Sequence, residues 1–219
     1  MSMEQLVNAA SAGDRDTMHA ILERQPELLN ETLPNGMSPL TAALYHGKRG
    51  AVEYLLERGV QVTIHEAAAL GDEETIRYML GIEPKLISSF SFDGWTPLHL
   101  TAFFGGYEAA KALVDSGADV NARSQNPLSN MPIHAAAAGK RTSLVHLLLE
   151  AGADPNVKQS GGWTPLHQAA DHCDVGMTEL LLRYGADPSI AQDEGKTPRA
   201  IAEEKGYDEI LNVLPGAST

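Results

Sequence analysis

Residues 164–187 read TPLHQAADHCDVGMTELLLRYGAD, and this stretch is the clearest copy of a unit that recurs along the 219-residue chain. Its opening TPLH returns upstream as TPLH at residues 96–99 and MPIH at 131–134, and downstream as TPRA at 197–200. The prolines of consecutive copies lie 35, 33 and 33 residues apart. A period of this length is typical of an array of stacked repeat units.

Each copy has the pattern of two short helices. A threonine before a proline supplies an N-cap hydroxyl, followed by a residue whose φ is already helical. Apolar residues in the second half follow the i, i+3, i+4 spacing of a helix, as Met177, Leu180 and Leu181 do. A glycine such as Gly185 then stands where a left-handed C-terminal cap belongs. One pair of helices cannot bury its apolar faces alone, so the units are expected to stack into one continuous core.

The TPLH motif, the alanine-rich first helix and the Gly-Ala-Asp turn after the second helix resemble the ankyrin repeat, and the resemblance covers essentially the whole chain. It implies an all-α fold: a right-handed, gently curved ankyrin-repeat solenoid with short finger loops between its units, forming one domain over residues 1–219. About seven units are expected, of which the first and last are candidate caps. The units start near residues 4, 38, 64, 96, 131, 164 and 197.

One connection between units is too short. Only 6 residues lead from Gly59 to His65, whereas 15 lead from Gly152 to His167. The finger loop that projects between ankyrin units is therefore expected to be missing after Gly59. The row of fingers is expected to have a gap there, with residues 35–36 on one side and 93–94 on the other.

The N-terminal half also repeats at a longer period. A shift of 58 residues places Gly13 on Gly71 and Pro26 on Pro84. Residues 3–62 and 61–120 therefore read as two copies of one two-unit block, and an internal duplication is the simplest explanation.

Histidines recur at one motif position, namely at His99, His134 and His167, and His65 falls in register with them. The resemblance implies that this imidazole is a structural bridge, hydrogen-bonded to backbone and to the threonine hydroxyl, and not a metal ligand. His65 and Glu66 open the zinc motif H-E-x-x-H, but Ala69 stands in place of the second histidine, so that motif is absent.

His172 and Cys173 form the remaining cluster of metal-ligating residue types, and Cys173 replaces the glycine that ends the first helix in other units. Neighbouring residues on a helix diverge by about 100°, which disfavours joint chelation. A metal or small-ligand site near His172 and Cys173 stays as one alternative, and a partly buried, inert thiol is the other.

Composition excludes several classes of function. With 16 Lys and Arg against 29 Asp and Glu, the net charge of −13 disfavours nucleic acid as a partner. An apolar run of membrane-spanning length and the order of a signal peptide are both absent, and the single cysteine excludes an intrachain disulfide. Phosphate-binding, dinucleotide-binding and nucleophile-elbow motifs are also missing. We therefore expect a cytoplasmic, monomeric protein that is not an enzyme, requires no cofactor and binds no membrane.

Partners of ankyrin repeats bind the concave side, which finger tips and the exposed ends of the first helices form; this too is implied by the resemblance. These positions have no packing duty in the repeat, so their residue types are expected to report function. The candidate partner-binding residues are Met37, Tyr45, His46, Phe92, Trp95, Phe103, Phe104, Trp163, Asp171 and His172.

All four phenylalanines lie between residues 90 and 104, and aromatic side chains are the usual anchors of protein interfaces. The function predicted from the sequence is non-catalytic recognition of an unknown partner protein or peptide through the concave face. Two alternatives remain: a regulatory or inhibitory subunit of an enzyme, and aromatics that only fill the space of the missing finger.

Overall fold

A computed structural model describes residues 2–215; Met1 and residues 216–219, the two ends of the expected domain, lie outside the described residues. All the regular secondary structure of residues 2–215 is helical, with no β-strand, which confirms the predicted all-α fold. Its fourteen α-helices form seven consecutive pairs, one pair for each predicted unit. The pairs are α1 Met3–Ala12 and α2 Arg15–Leu22, α3 Pro39–Tyr45 and α4 Arg49–Glu57, α5 Ile64–Leu70 and α6 Glu73–Ile82, α7 Pro97–Phe104 and α8 Tyr107–Asp115, α9 Pro132–Ala138 and α10 Thr142–Glu150, α11 Pro165–Asp171 and α12 Val175–Arg183, and α13 Pro198–Lys205 and α14 Asp208–Val213.

Most of the first helices begin after a serine or threonine N-cap, whereas α9 begins after Met131, which has no hydroxyl. Thr96, for example, accepts a hydrogen bond from the backbone of His99, and proline follows as the first helical residue. Most of these helices end at a glycine in the left-handed region. At the same place in units 5 and 6, Lys140 and Cys173 adopt φ of 56° and 55°, a conformation that costs a non-glycine residue energy.

Finger loops connect most neighbouring units, and backbone hydrogen bonds close them. In one of them the N–H of Ser91 donates to the carbonyl of Trp95 over 2.8 Å. Adjacent fingers are also bonded to each other, as where the N–H of Gln125 donates to the carbonyl of Gly94 over 2.8 Å. The fingers comprise residues 33–37, 91–95, 124–130, 159–163 and 192–196.

The connection between units 2 and 3 has no finger, as predicted. Helix α4 ends at Glu57, α5 begins at Ile64, and the residues between them form a turn and a short extended stretch. The predicted gap in the row of fingers, in contrast, is wrong. Gly36 and Phe92 touch, so closely that a Cβ atom on Gly36 would lie 2.7 Å from the Cβ of Phe92. The finger of residues 91–95 therefore reaches across unit 3 to the finger of residues 33–37.

The apolar core is divided in two, which corrects the expectation of one continuous core. One cluster of buried side chains runs from Leu6 to Val60 in units 1 and 2. The other runs from Ile64 to Leu214 and holds units 3 to 7 together, while half-buried Val62 packs against both clusters. The break coincides with the missing finger and with the boundary of the two-unit blocks.

Candidate functional site

The repeat histidines bridge adjacent units. Nε2 of His99 donates to the carbonyl of Asn130 over 3.1 Å, and its Nδ1 lies 2.8 Å from the hydroxyl of Thr96. His134 and His167 face the carbonyls of Trp163 and Lys196 in the same way, at 3.2 and 3.1 Å. Burial lowers the pKa of His99 and of His134 to about 4 and also lowers the pKa of His167. These imidazoles are therefore neutral, and their hydrogen bonds bridge adjacent units, as the resemblance implied.

His65 is not in register with them, contrary to the sequence prediction. The N-cap of α5 is Thr63, so the third helical position, where units 4, 5 and 6 carry histidine, holds Glu66. His65 stands one residue earlier and faces the carbonyl and hydroxyl of Ser89 at 3.3 and 3.2 Å. The error arose because unit 3 lacks the threonine-proline pair that marks the start of the other units.

Glu66 is a buried carboxylate that links units 2 and 3. One of its oxygens accepts the backbone N–H and the hydroxyl of Thr63, at 2.9 and 2.8 Å. The other accepts the hydroxyl of Thr41 at 3.0 Å and that of Ser38 in unit 2. At the joints after units 4, 5 and 6, a histidine of the preceding unit donates to a finger carbonyl. Because this finger is missing, the bond across the joint runs from hydroxyls to a carboxylate instead.

Five predicted partner-binding residues meet in one group, which we call the aromatic row. Neighbouring ring centroids in it are 5.2–5.9 Å apart, the spacing of favourable aromatic pairs. The row combines residues of two first helices with residues of the finger that precedes unit 4. Its members, in order, are Phe92, Tyr45, Phe104, Phe103 and Trp95.

The aromatic row is only partly exposed. Tyr45, Trp95, Phe103 and Phe104 are half-buried and pack against the larger core cluster, so the expectation that these positions have no packing duty is wrong. The Nε1 of Trp95 is buried without a hydrogen-bond partner in the described part of the chain. Phe92, in contrast, is 38% exposed. The aromatic row therefore fills space beside unit 3 and also leaves part of its aromatic surface exposed to solvent.

The other candidate residues lie apart from the aromatic row. Met37 is half-buried against the smaller core, and exposed His46 points its Nδ1 back to the carbonyl of Ala42 at 2.9 Å. Trp163 is half-buried beside the ring of His167, with 5.9 Å between centroids. Asp171 forms an ion pair of 2.5 Å with Lys205, and the Nδ1 of neighbouring His172 is buried without a partner in residues 2–215.

The cluster at His172 and Cys173 does not have the arrangement of a metal site. Cys173 is a free, half-buried thiol in the turn after α11. Across residues 2–215, no three His, Cys, Asp or Glu side chains converge to hold a metal ion. None of the described helices is long and apolar enough to cross a membrane.

Sequence reasoning missed Glu66 as a structural residue and left exposed Phe90 outside the candidate set. A signal for Glu66 was present. Thr63 and Glu66 form the S/T-x-x-E capping box, in which each side chain bonds the other residue's backbone N–H. Unit 1 opens with the same device in Ser2 and Gln5.

Comparison with known proteins agrees with this architecture. The family model "Ankyrin repeats (3 copies)" matches residues 64–159 and 133–218. The chain is 29% identical over 160 residues to the yeast (Saccharomyces cerevisiae) protein named target of rapamycin complex 2 subunit AVO2, covering 66% of this chain and 37% of that protein. It is 30% identical over 138 residues to Drosophila melanogaster transient receptor potential cation channel subfamily A member 1, covering 57% and 11%.

A third relative is human ankyrin repeat and SOCS box protein 16, with 28% identity over 135 residues that cover 58% of this chain and 29% of the relative. The chain thus spans well under half the length of each of these relatives. The family model matches more than half of the 219 residues, which is enough to assign the chain to that family. The chain belongs to the ankyrin repeat family.

Proposed function

We propose that this protein is a non-catalytic binding module that holds a partner protein or peptide on its concave face. Ankyrin repeats are generally protein–protein interaction modules. The observation that supports this face as the binding site is the aromatic row. In it, exposed Phe92 of a finger packs against Tyr45 of unit 2, which packs against Phe104 of unit 4. Aromatic side chains near the middle of a surface are the usual energetic anchors of an interface.

Charge favours a basic partner. The net charge of −13 attracts a positively charged segment over long range and raises its rate of encounter. An enzyme that this chain regulates or inhibits would be one such partner and would use the same face. We also propose that the protein is monomeric and lies in the cytoplasm. A free cysteine, Cys173, is in keeping with a reducing compartment.

The test uses one exposed residue on each side of unit 5. Ala138 ends α9 on the concave side, and Ser143 lies in the first turn of α10, the second helix of the same unit. Tagged native protein, Ala138→Arg and Ser143→Arg are used to capture partners from an extract of the source cells, with quantification by mass spectrometry. Phe103 and Phe104 are poor test positions, because both pack against the core.

We expect Ala138→Arg to reduce capture of the main partner at least tenfold, since it adds bulk and positive charge to the binding face. Ser143→Arg adds the same side chain to the opposite side of the unit and should capture as the native protein does. Equal capture by the native protein and both variants would contradict the concave-face proposal, provided that thermal unfolding shows all three to be folded.

A further inference from the structure

A cavity of about 320 Å³ lies where the finger of unit 3 is missing, and we call it the finger-gap cavity. Residues of α3 and α5 line one part of it, and the fingers at 33–37 and 91–95 contribute Gly36, Ser91 and Phe92. Side chains on the concave face, Tyr45 and Ala69 among them, also line it. The fingers at 33–37 and 91–95 touch, but between them and the fingerless joint of α3 and α5 lies a space that is large enough for one long side chain, next to the aromatic row.

The polar groups around Glu66 offer hydrogen-bond acceptors to this cavity. Ser38, Thr41 and Thr63 line it, and each of their hydroxyls is in hydrogen-bond contact with the Glu66 carboxylate. A hydroxyl that donates its hydrogen to a carboxylate can only accept any further hydrogen bond. The lining therefore favours a ligand that brings hydrogen-bond donors, while His65, which also lines the cavity, directs its Nε2 at Ser89.

The remaining walls suit a positively charged group on an apolar stem. Tyr45, Phe90 and Phe92 contribute aromatic surface, and the last two are 37% and 38% exposed. Aromatic faces attract ammonium and guanidinium groups. Glu66 supplies a negative charge, and Asp93 lies beside the cavity, held by the hydroxyl of Tyr45 at 2.8 Å. The cavity lining within residues 2–215 contains neither lysine nor arginine.

We propose that the finger-gap cavity receives a lysine or arginine side chain from the partner segment that lies along the concave face. This inference deepens the proposed function and rests on it. A side chain of a bound segment is favoured over a free amine because the cavity is continuous with the aromatic row: Tyr45 and Phe92 belong to both. A chain that contacts the row can extend one basic side chain into the cavity.

The experiment compares three short peptides that differ only at a central residue, which is arginine, lysine or the neutral norleucine, between Gly-Ser flanks. Each peptide is titrated into the ¹⁵N-labelled protein of residues 1–219, and amide shifts are followed by NMR. We expect saturable shifts at residues lining the cavity with arginine or lysine, and at least tenfold weaker binding of the norleucine peptide.

Two variants and one control locate the binding. Phe90→Ala and Phe92→Ala should each weaken binding of the arginine peptide about fivefold, the scale of one exposed cation–aromatic contact. Phe90→Ala guards against a folding effect of Phe92→Ala, because Phe92 also contacts Gly36. Tyr78→Ala removes a 71%-exposed aromatic residue from α6, outside the cavity, and should leave binding unchanged.

Three results would overturn the inference. They are equal binding of the norleucine peptide, shifts confined to other parts of the concave face such as the surroundings of Trp163, and absence of saturable binding. In each case the proposed function is judged separately by the capture experiment with Ala138→Arg. The cavity assignment can therefore fail while partner binding on the concave face stands.

Discussion

The hydroxyl of Tyr45 donates a hydrogen bond of 2.8 Å to the carboxylate of Asp93, and this bond ties the first helix of unit 2 to the finger that precedes unit 4. It spans unit 3, which has no finger of its own. Burial, together with the nearby charge of Asp93, raises the pKa of Tyr45 above its ordinary value, so its hydroxyl keeps its hydrogen throughout the physiological range. The bond adds a polar link across unit 3 to the apolar contacts that Tyr45 makes with Phe92 and Phe104.

Tyr45→Phe should therefore lower the free energy of unfolding by about 1.5–3 kcal/mol, the usual effect of losing a hydrogen bond to a charged acceptor. The ring and its contacts with Phe92 and Phe104 stay. Urea unfolding followed by circular dichroism measures the change. Tyr107→Phe, at an exposed position on α8, is the matched control and should stay within about 0.5 kcal/mol of the native protein. Equal effects of the two substitutions would show that the bond to Asp93 contributes nothing.

Glu66→Gln should destabilise the joint between units 2 and 3. A glutamine side chain has nearly the same shape as the glutamate. Its NH₂ group, however, cannot accept hydrogen bonds, and it would face hydroxyl and N–H groups that now donate to the Glu66 carboxylate. We expect a loss of about 1–3 kcal/mol, as for a buried group left with unmatched partners. Chemical denaturation measures it, and Glu108→Gln on the exposed side of α8 should be nearly neutral. A neutral result for Glu66→Gln would mean that the carboxylate does not hold the two units together.

The repeat histidines predict a loss of stability in mild acid. The pKa of His99 and of His134 is about 4 in the folded protein and about 6.5, the ordinary value, when unfolded. Their contribution is complete above pH 6.5 and disappears as the pH falls toward 4, because the unfolded chain binds protons first. Each imidazole should account for about 2–3 kcal/mol across this window.

Urea midpoints measured from pH 7.5 to pH 4.5 check this pH dependence. If stability were constant over that range, the buried imidazoles could not be the neutral groups described.

The structural role of these histidines can also be separated from metal binding. His134→Ala and His167→Ala should each lower the free energy of unfolding by about 1–3 kcal/mol, since a finger carbonyl loses its donor. Zinc should leave the melting temperature of the native protein unchanged. A saturable increase in melting temperature at one zinc per chain would contradict this assignment.

The divided core predicts that units 1 and 2 can unfold without the others. Ile21 is fully buried in the smaller cluster, so Ile21→Ala should destabilise that cluster by about 2–5 kcal/mol. Hydrogen exchange read by mass spectrometry should then show faster exchange in residues 3–60, with protection retained in residues 97–183. The reciprocal variant Ile133→Ala, in the larger cluster, is the control. Uniformly faster exchange along the chain after Ile21→Ala would show a single cooperative unit.

The helix pairs could be predicted from sequence because each is encoded locally. The N-cap of Thr164, the proline after it and the left-handed turn after α11 recur in register, so the period alone fixes the units. The absence of a finger after Gly59 also follows from chain length, since the connection has too few residues to project.

The parts that failed depend on relations between distant units. Phe92 closes the predicted gap beside Gly36. No local sequence pattern predicts this contact, because it depends on the distance that unit 3 sets between its two neighbouring units. Likewise, Phe104 packs against Tyr45, about 60 residues earlier in the chain, and Phe103 packs in turn against Phe104 and Trp95. The position of Glu66 was readable as a capping box, but the repeat motif that normally fixes the register is missing in unit 3.

The capping box that opens both unit 1 and unit 3 has a consequence for how this array can change in length. Ser2 with Gln5 and Thr63 with Glu66 begin their helices with the same kind of side-chain pair, and the 3₁₀ turns at Pro26–Asn30 and Pro84–Ser88 follow at the same place in each block. Units 2 and 3 meet without a finger, at the boundary between the two blocks. A further copy of the two-unit block at this joint would meet its neighbours through contacts of the kind that units 2 and 3 already make, so this joint allows the array to change in length by two repeats at once.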